Sequence, residues 1–431
     1  MPLDIKLREA QLRRAPKLVD IGIADGRIVA VADRLDDPAE RTIEVAGRLV
    51  TPGFADPHCH IDKSFFGELT GRYDYLRTPQ RPDDAALAKS RGQPRSGMGD
   101  MEEVHANVVP LFESWVFKEG YTVDAVAERM LRALRTAAAN GVVAMRMFCD
   151  VDSHAGLTPV SAGLRVREQL RGVMSLQVVA FPQEGIFTDP GTEALLEEAM
   201  VLGADVVGGL PFVEWTADDM ERHVLHCFDL ASRFKRDLHF LCDDTSDPSA
   251  RTLEMVAVAK LRSGFKGSVA SSHNGALSTY PEEHRVRVIS LLRQAGVRMV
   301  ANAHVNLLGT YTAVPELLQA GVLVAAGQDD IDNFYYPLGQ PDPLEVAFCV
   351  VHAARLAHEE GMEQVFDMVT RNACTVMGLP GSTLSVGSEA NLVVHEARHV
   401  RDAIRYRYPR PYVISRGRVI AEAHVERTVG F

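Results

Sequence analysis

The stretch TPGFADPHCHIDK, residues 51–63, decides how the rest of the chain is read. Its first half belongs to an apolar run, Leu49–Ala55, that reads as a strand. Its second half is polar and carries His58 and His60 two positions apart. On an extended segment, side chains at i and i+2 point the same way. Both imidazoles then reach one cation, as nitrogen ligands at about 2.0–2.1 Å. An H-x-H pair alone is weak evidence in a chain with 15 histidines. At the end of a barrel strand, where catalytic groups gather, it is strong.

Working outward, seven more strand-like runs follow: Val142–Phe148, Leu176–Phe181, Val206–Gly209, Asp237–Leu241, Ser268–Ser272, Arg298–Ala301 and Val322–Ala326. Amphipathic segments such as Thr192–Leu202 and Pro281–Ala295 lie between them. Alternating β and α with nearly continuous apolar strands implies a parallel sheet with helices on its faces. Eight repeats favour closure into a (β/α)8 TIM barrel. No G-x-G-x-x-G follows the first strand, which argues against a dinucleotide-binding sheet.

Both ends of the chain are different. Val19–Ala24 and Arg27–Val31 flank Asp25-Gly26, a hairpin signature, and Thr42–Val45 adds a short strand. Ala390–His395, then Tyr412–Ser415 and Arg418–Ala421 around Arg416-Gly417, repeat the pattern. We expect residues 1–50 and 385–431 to form one small β-sandwich, and 51–384 the barrel. The polar segment Phe66–Asp100 breaks the α/β rhythm. Its length suggests a lid over the barrel mouth or an oligomer contact, with simple disorder as the alternative.

Polar residues at the strand ends would form a crown facing one point. They are Pro182-Gln183-Glu184, Cys242-Asp243-Asp244, Ser271-Ser272-His273-Asn274 and Gly327-Gln328-Asp329-Asp330. A cation held by imidazoles and a carboxylate lowers the pKa of water toward neutrality. A neighbouring carboxylate can take that proton and pass it to a leaving nitrogen; Asp329 and Asp244 are the candidates. Each has a plainer reading. Asp329-Asp330 could cap a helix, His273 could be a core imidazole with a partner, and Asp244 could order its own loop.

The chain resembles the amidohydrolase superfamily, and within it the bacterial cytosine deaminase branch. The likeness is carried by TPGFADPHCHIDK (51–63), VVAFPQEGI (178–186), EALLEEAMVLGADVVGGLP (193–211), CDDTSDPSARTLEMV (242–256), SSHNGALSTY (271–280) and GQDDIDNFYYPLG (327–339), with TRNACTVMGL and VGSEANLVV in the tail. The resemblance implies that His58, His60 and Asp329 hold a divalent metal, zinc or iron, with His273 beside the nucleophilic water and also available as a ligand. Asp329 would act as general base. Gln183 would hold a pyrimidine-type ring, and Asp330 and Tyr335 would line the pocket. Asp244 falls where the branch carries a proton-shuttling glutamate, one methylene longer. Three histidines of the branch are missing, their places taken by Phe148, Leu241 and Gln328. His239 lies two residues before Leu241, about 6–7 Å deeper along the strand. His304, after the seventh run, stands in reserve as a ligand.

The bulk properties fit. The formal net charge of −12 would repel phosphate backbones and anionic membranes, so no nucleic-acid partner is expected. Six scattered cysteines form no C-x-x-C pair and suit reduced thiols in a cytoplasmic enzyme. The N-terminal MPLDIKLREAQLRRAPK lacks the apolar core of a signal peptide, and no run of about 18 apolar residues suggests a span. A homo-oligomer acting on a small heterocyclic substrate is expected. The leading function is metal-dependent hydrolysis of a C–N bond in a polar N-heterocycle. The rivals are a decarboxylase of the same superfamily, with Lys63 as a cationic pocket group, and a metal-free ligand-binding pseudoenzyme.

Overall fold

The computed structural model describes residues 2–70, 114–302, 311–333, 335–380, 383–426 and 428–430. The chain opens with β1 (Leu3–Leu12), β2 (Leu18–Ala24), β3 (Arg27–Ala32), β4 (Ala39–Glu44) and β5 (Leu49–Pro52). Eight strands alternating with helices follow: β6 (Phe54–Cys59), β7 (Val142–Asp150), β8 (Ser175–Phe181), β9 (Val206–Gly209), β10 (Asp237–Cys242), β11 (Val269–His273), β12 (Arg298–Ala301) and β13 (Val324–Ala326). The chain ends with β14 (Leu392–Val394), β15 (Tyr412–Ser415) and β16 (Arg418–Glu422).

The first and last groups form one sheet of order β16-β15-β14-β5-β1-β2-β3, with β4 also on β1. The first half of β1 pairs with β4 and its end pairs with β5, both in parallel. Between Leu7 and Ala10 the register shifts, and Glu9 takes a positive φ of 56°. Such a bulge bends the strand and strengthens its twist. Ile5, Leu7, Ile21, Ile23, Ile43, Val50, Leu392 and Ile414 fill a core separate from the barrel's.

The run Leu49–Ala55 is two strands, not one. Leu49–Pro52 pairs with β14 in the terminal sheet, and Phe54–Cys59 pairs with β7 in the barrel. Gly53 makes the crossing: a Cβ there would sit 2.7 Å from Val143 Cγ2, so only glycine fits without displacement.

The barrel strands pair in parallel in sequence order from β6 to β13. Closure comes from a parallel bridge between Cys59 and Asp329. There His60 N donates to Asp329 O at 2.7 Å, and Asp329 N donates to His58 O at 2.9 Å. Gly327 lets the two strands approach, since a Cβ would lie 2.9 Å from His58 O.

The barrel interior is layered by the period-2 alternation of its strands. Ala55, Ala144, Ala270, Val300 and Ala325 form the floor, plugged by Ala373, Cys374 and Val376 of the helix Arg371–Val376. Above Ala144, β7 turns Arg146 and then Phe148 inward; β10 does the same with His239 and Leu241, and β11 with Ser272. Outer helices are fixed by side-chain caps: Thr122 accepts from Ala125 N, Thr216 from Asp219 N and Asp342 from Leu344 N. All six cysteines are free thiols. Among the described residues, no helix is long and apolar enough to cross a membrane.

Candidate metal centre and active site

The seam between β6 and β13 places three side chains together. His58 Nε2 lies 3.1 Å from Asp329 Oδ1, and His60 Nε2 lies 3.6 Å from the same oxygen. One ligand atom from each residue falls within 4.8 Å of the others, and all three residues are buried. Asp56 stabilises the arrangement, its Oδ1 accepting from both His58 N and Gln328 N at 3.1 Å.

This set fits a metal ion. Ligand bonds of about 2.0–2.1 Å in tetrahedral geometry put donor atoms about 3.3 Å apart, close to the separations seen. Burial lowers the pKa of His58 and, further, that of His60, keeping both in the neutral form that ligates cations. Burial disfavours the Asp329 carboxylate, but His273 and His58 outweigh it and hold the group well below its ordinary range. Two imidazoles and one carboxylate leave a coordination position open, as catalytic sites do.

His273, at the end of β11, joins the centre from the other side. Its Nε2 lies 3.3 Å from Asp329 Oδ2 and its Nδ1 lies 3.2 Å from Asp244 Oδ2. Burial would lower its pKa, but the two flanking carboxylates raise it well above the usual imidazole value. Asn302 Nδ2, just past β12, is 3.1 Å from His273 Nε2. The sequence reading passed over Asn302 for its neighbour His304, which lies outside the described residues. A buried polar residue directly after an apolar strand was the signal available. His273, Asn274 and Asp329 have φ of 65°, 60° and 70°, and Asp243 has 47°. Non-glycine residues rarely adopt this region, and such strain clusters at functional sites.

The three positions where histidines were expected are apolar or differently engaged. Phe148 packs on His58 and His60, with ring centroids 4.0 and 5.3 Å away. Leu241 joins Phe148, Val179 and Phe181 in an apolar cluster. Gln328 Nε2 donates to Asp330 O at 3.1 Å. Asp330 itself is pushed up to about 8 by burial and then by Asp329 beside it. At neutral pH such a carboxyl is mostly protonated and can act as a donor.

Beside this centre sits a buried ion cluster the sequence did not reveal. Lys63 Nζ donates to Asp150 Oδ1 at 2.6 Å and to Gln183 Oε1 at 2.9 Å. Lys118 Nζ lies 2.6, 2.7 and 3.5 Å from carboxylates of Asp150, Asp152 and Glu184. Burial works against the Asp150 carboxylate, yet the two lysines draw it down to about 2. Lys63 therefore spends its charge on Asp150 and orients Gln183, rather than standing free in the pocket. Tyr335 is half-buried, its backbone N donating to Asn333 Oδ1 at 3.0 Å. Of the segment Phe66–Asp100, only a short helix, Phe66–Thr70, lies among the described residues.

The loop carrying Gln183 and Glu184 is held from behind by Glu214. Its carboxylate accepts from Ile186 N (2.6 Å), Phe187 N (3.1 Å), Thr188 N (2.9 Å) and Thr188 Oγ1 (2.8 Å). His223 Nε2 accepts from Leu210 N at 3.0 Å, leaving Nδ1–H to face Glu214 Oε1 at 2.7 Å.

Comparisons with known proteins agree with this architecture. N-isopropylammelide isopropyl amidohydrolase of Pseudomonas sp. (strain ADP) is 26% identical over 425 residues, covering 98% of each chain. Pterin deaminase of Rhizobium rhizogenes is 26% identical, covering 93% of this chain and 87% of its own. The structure of 5-methylcytosine deaminase from Klebsiella pneumoniae, liganded with 5-fluorocytosine, superposes with a TM-score of 0.85 at 27% identity, covering 99% of both chains. The amidohydrolase family model matches residues 41–421, from β4 through the whole barrel and into β16, and the chain is accordingly a member of the amidohydrolase family.

Proposed function

We propose that the protein is a metal-dependent hydrolase that cleaves a C–N bond of a small polar N-heterocycle, of pyrimidine, triazine or pterin type. One observation carries the reading: Asp329 offers Oδ1 to the His58–His60 pair and Oδ2 to His273, which Asp244 backs. The names of the relatives support the substrate class, since they act on ammelide, pterin and cytosine rings. His58, His60 and Asp329 would hold one zinc or iron ion, with His273 beside Asp329 and engaged by the carboxylates of Asp329 and Asp244 rather than grouped with the ligands. A divalent cation there supplies Lewis acidity and lowers the pKa of water toward neutrality.

The chain's own residues do the rest. Asp329 takes a proton from the attacking water at Oδ2. His273, shared between Asp329 and Asp244, links the two carboxylates. Asp244 returns the proton to the ring nitrogen or the leaving amine. Gln183, its oxygen turned to Lys63, presents its amide N–H to a ring acceptor. Asp330, its carboxyl pushed up by burial and by Asp329, can donate as well, and Tyr335 borders the pocket. Lys63 does not favour a decarboxylase, because its charge is neutralised by Asp150.

The test is metal content by mass spectrometry, followed by ammonia or amine release from aminopyrimidines, aminotriazines and pterins. Stoichiometric metal with turnover of at least one ring class is expected. Fully metal-loaded protein that releases nothing from any class would overturn the reading.

A further inference from the structure

Between the barrel floor and the metal centre lies a polar layer where other barrels place branched apolar side chains. It is a single chain of contacts across four strands. Arg146 Nη1 on β7 lies 3.3 Å from His239 Nδ1 on β10. His239 Nε2 lies 2.7 Å from Ser272 Oγ on β11. Ser272 Oγ lies 2.9 Å from His58 Nδ1 on β6. All four residues have no exposed surface. Arg146 is anchored by Gln177 Oε1, which accepts from its Nε at 2.7 Å, and Gln177 Nε2 donates to Met377 O at 2.9 Å.

The order of donors along this chain follows from its first member. A guanidinium only donates, so His239 Nδ1 must accept. A neutral imidazole accepting at Nδ1 carries its hydrogen on Nε2, so His239 donates to Ser272 Oγ. The Ser272 hydroxyl also faces His58 Nδ1 and can accept from it or donate to it. If His58 Nδ1 donates there, its Nε2 lone pair is free and faces the centre shared with Asp329. If Ser272 instead donates to Nδ1, His58 Nε2 carries the hydrogen and gives it to Asp329 Oδ1, 3.1 Å away.

The geometry points to Arg146, His239 and Ser272 as positioning residues for the metal centre: the Arg146–His239–Ser272 chain holds the His58 ring and receives its Nδ1–H, freeing Nε2 for a cation. This rests on the metal reading of the site, and it gives a task to the deeper fifth-strand histidine where Leu241 provides no ligand. Outer contacts of this kind orient ligating imidazoles and typically change metal affinity 10–100-fold. A purely structural chain would behave differently: altering it would lower the melting temperature and leave zinc affinity at the parent value.

The experiment uses the full-length protein and the metal alone as probe: zinc, or iron(II) where zinc does not bind. Zinc affinity is measured by chelator competition, melting temperature is measured without metal, and the His58 tautomer is read from 15N shifts with and without zinc. Ser272→Ala is expected to weaken zinc binding about 10–100-fold. Ser272→Thr, which keeps the hydroxyl, should stay within a few-fold of the parent. Arg146→Met combined with His239→Leu should weaken zinc binding similarly and keep a cooperative melt. In the parent, zinc should shift the His58 hydrogen to Nδ1. Parent-like affinity in both Ser272→Ala and the double variant would overturn the proposal, as would an Nε2–H tautomer in the zinc-loaded parent. A parent that binds neither zinc nor iron(II) overturns it together with the metal reading, whereas zinc binding without ring hydrolysis sinks only the activity.

Discussion

On one side of the barrel mouth, β6 and β13 bring His58, His60 and Asp329 into mutual reach, and β11 sets His273 beside Asp329. On the other, β7, β8 and β10 carry Phe148, Phe181 and Leu241 at or near their C-terminal ends, packed together. The polar wall holds strained backbone, with His273 and Asp329 in the left-handed region. No residue of that apolar trio has a positive φ. The difference teaches where the work is divided. Among these residues strain is concentrated where bonds would change, and the apolar trio lowers the local dielectric, which strengthens the electrostatics opposite it. On the proposed function, a planar ring would have one wall to lie against and one to react with.

Removing the polar wall should have the largest effect. His58→Ala with His60→Ala is expected to reduce bound metal to background and abolish turnover, measured by metal analysis and ammonia release. Full-occupancy metal in that double variant would sink the ligand assignment. Next, Asp244→Asn should retain metal and lose about 10²–10⁴-fold in kcat, the span of general acid–base catalysis. Turnover within a few-fold of the parent would remove Asp244 from the proton path.

Converting the apolar wall is a subtler test. Leu241→His places an imidazole among Phe148, Val179 and Phe181. Without metal it should cost about 1–3 kcal/mol of stability, as a buried polar group without a partner. With zinc it should tighten binding about tenfold, about 1.4 kcal/mol. Unchanged zinc affinity would mean that this wall does not face the centre.

The smallest effect should come from the loop clamp behind Gln183. Glu214→Gln breaks part of a five-donor cluster and should cost about 1–2 kcal/mol at neutral pH. Burial opposes ionisation of Glu214, but His223 and the loop N–H groups hold its pKa below the ordinary carboxylate value. Its contribution is then present above about pH 4.3, the unfolded value, and lost as pH falls through the lower folded one. The stability gap between parent and variant should therefore shrink on acidification, as followed by denaturant unfolding. A gap independent of pH would show that charge on Glu214 is not what holds the loop.

Much of this was legible in the sequence, for definable reasons. Seven barrel strands fell within a few residues of the predicted runs, because buried parallel strands are continuously apolar. The eighth, Leu49–Ala55, merged two strands, since nothing local marks a chain passing from one sheet to the next at Gly53. His58 and His60 were legible because their spacing is local. Asp329 and His273 needed the strand count to bring them near. The Lys63–Asp150–Lys118 cluster and the Arg146–His239–Ser272 chain were not legible. Their members are scattered over β6, β7, β10, β11 and the loops between them, and only tertiary packing shows which charges meet. His239 was visible as a histidine two residues too deep to ligate, but its use required knowing that Ser272 stands between it and His58.

The seam of the barrel has a consequence for how the molecule assembles. His58 and Asp329 are 271 residues apart in sequence, yet their backbones pair at the last joint of the ring. Contacts of such long range form late, because the entropy of closing the intervening chain must be met first. The site cannot be half-built: until β13 docks beside β6, the two histidines have no carboxylate opposite them. A cation that binds His58, His60 and Asp329 together is thus a ligand of the closed ring alone. It would stabilise that state by mass action against every open one, so on the proposed metal reading metal supply would act as a latch on ring closure.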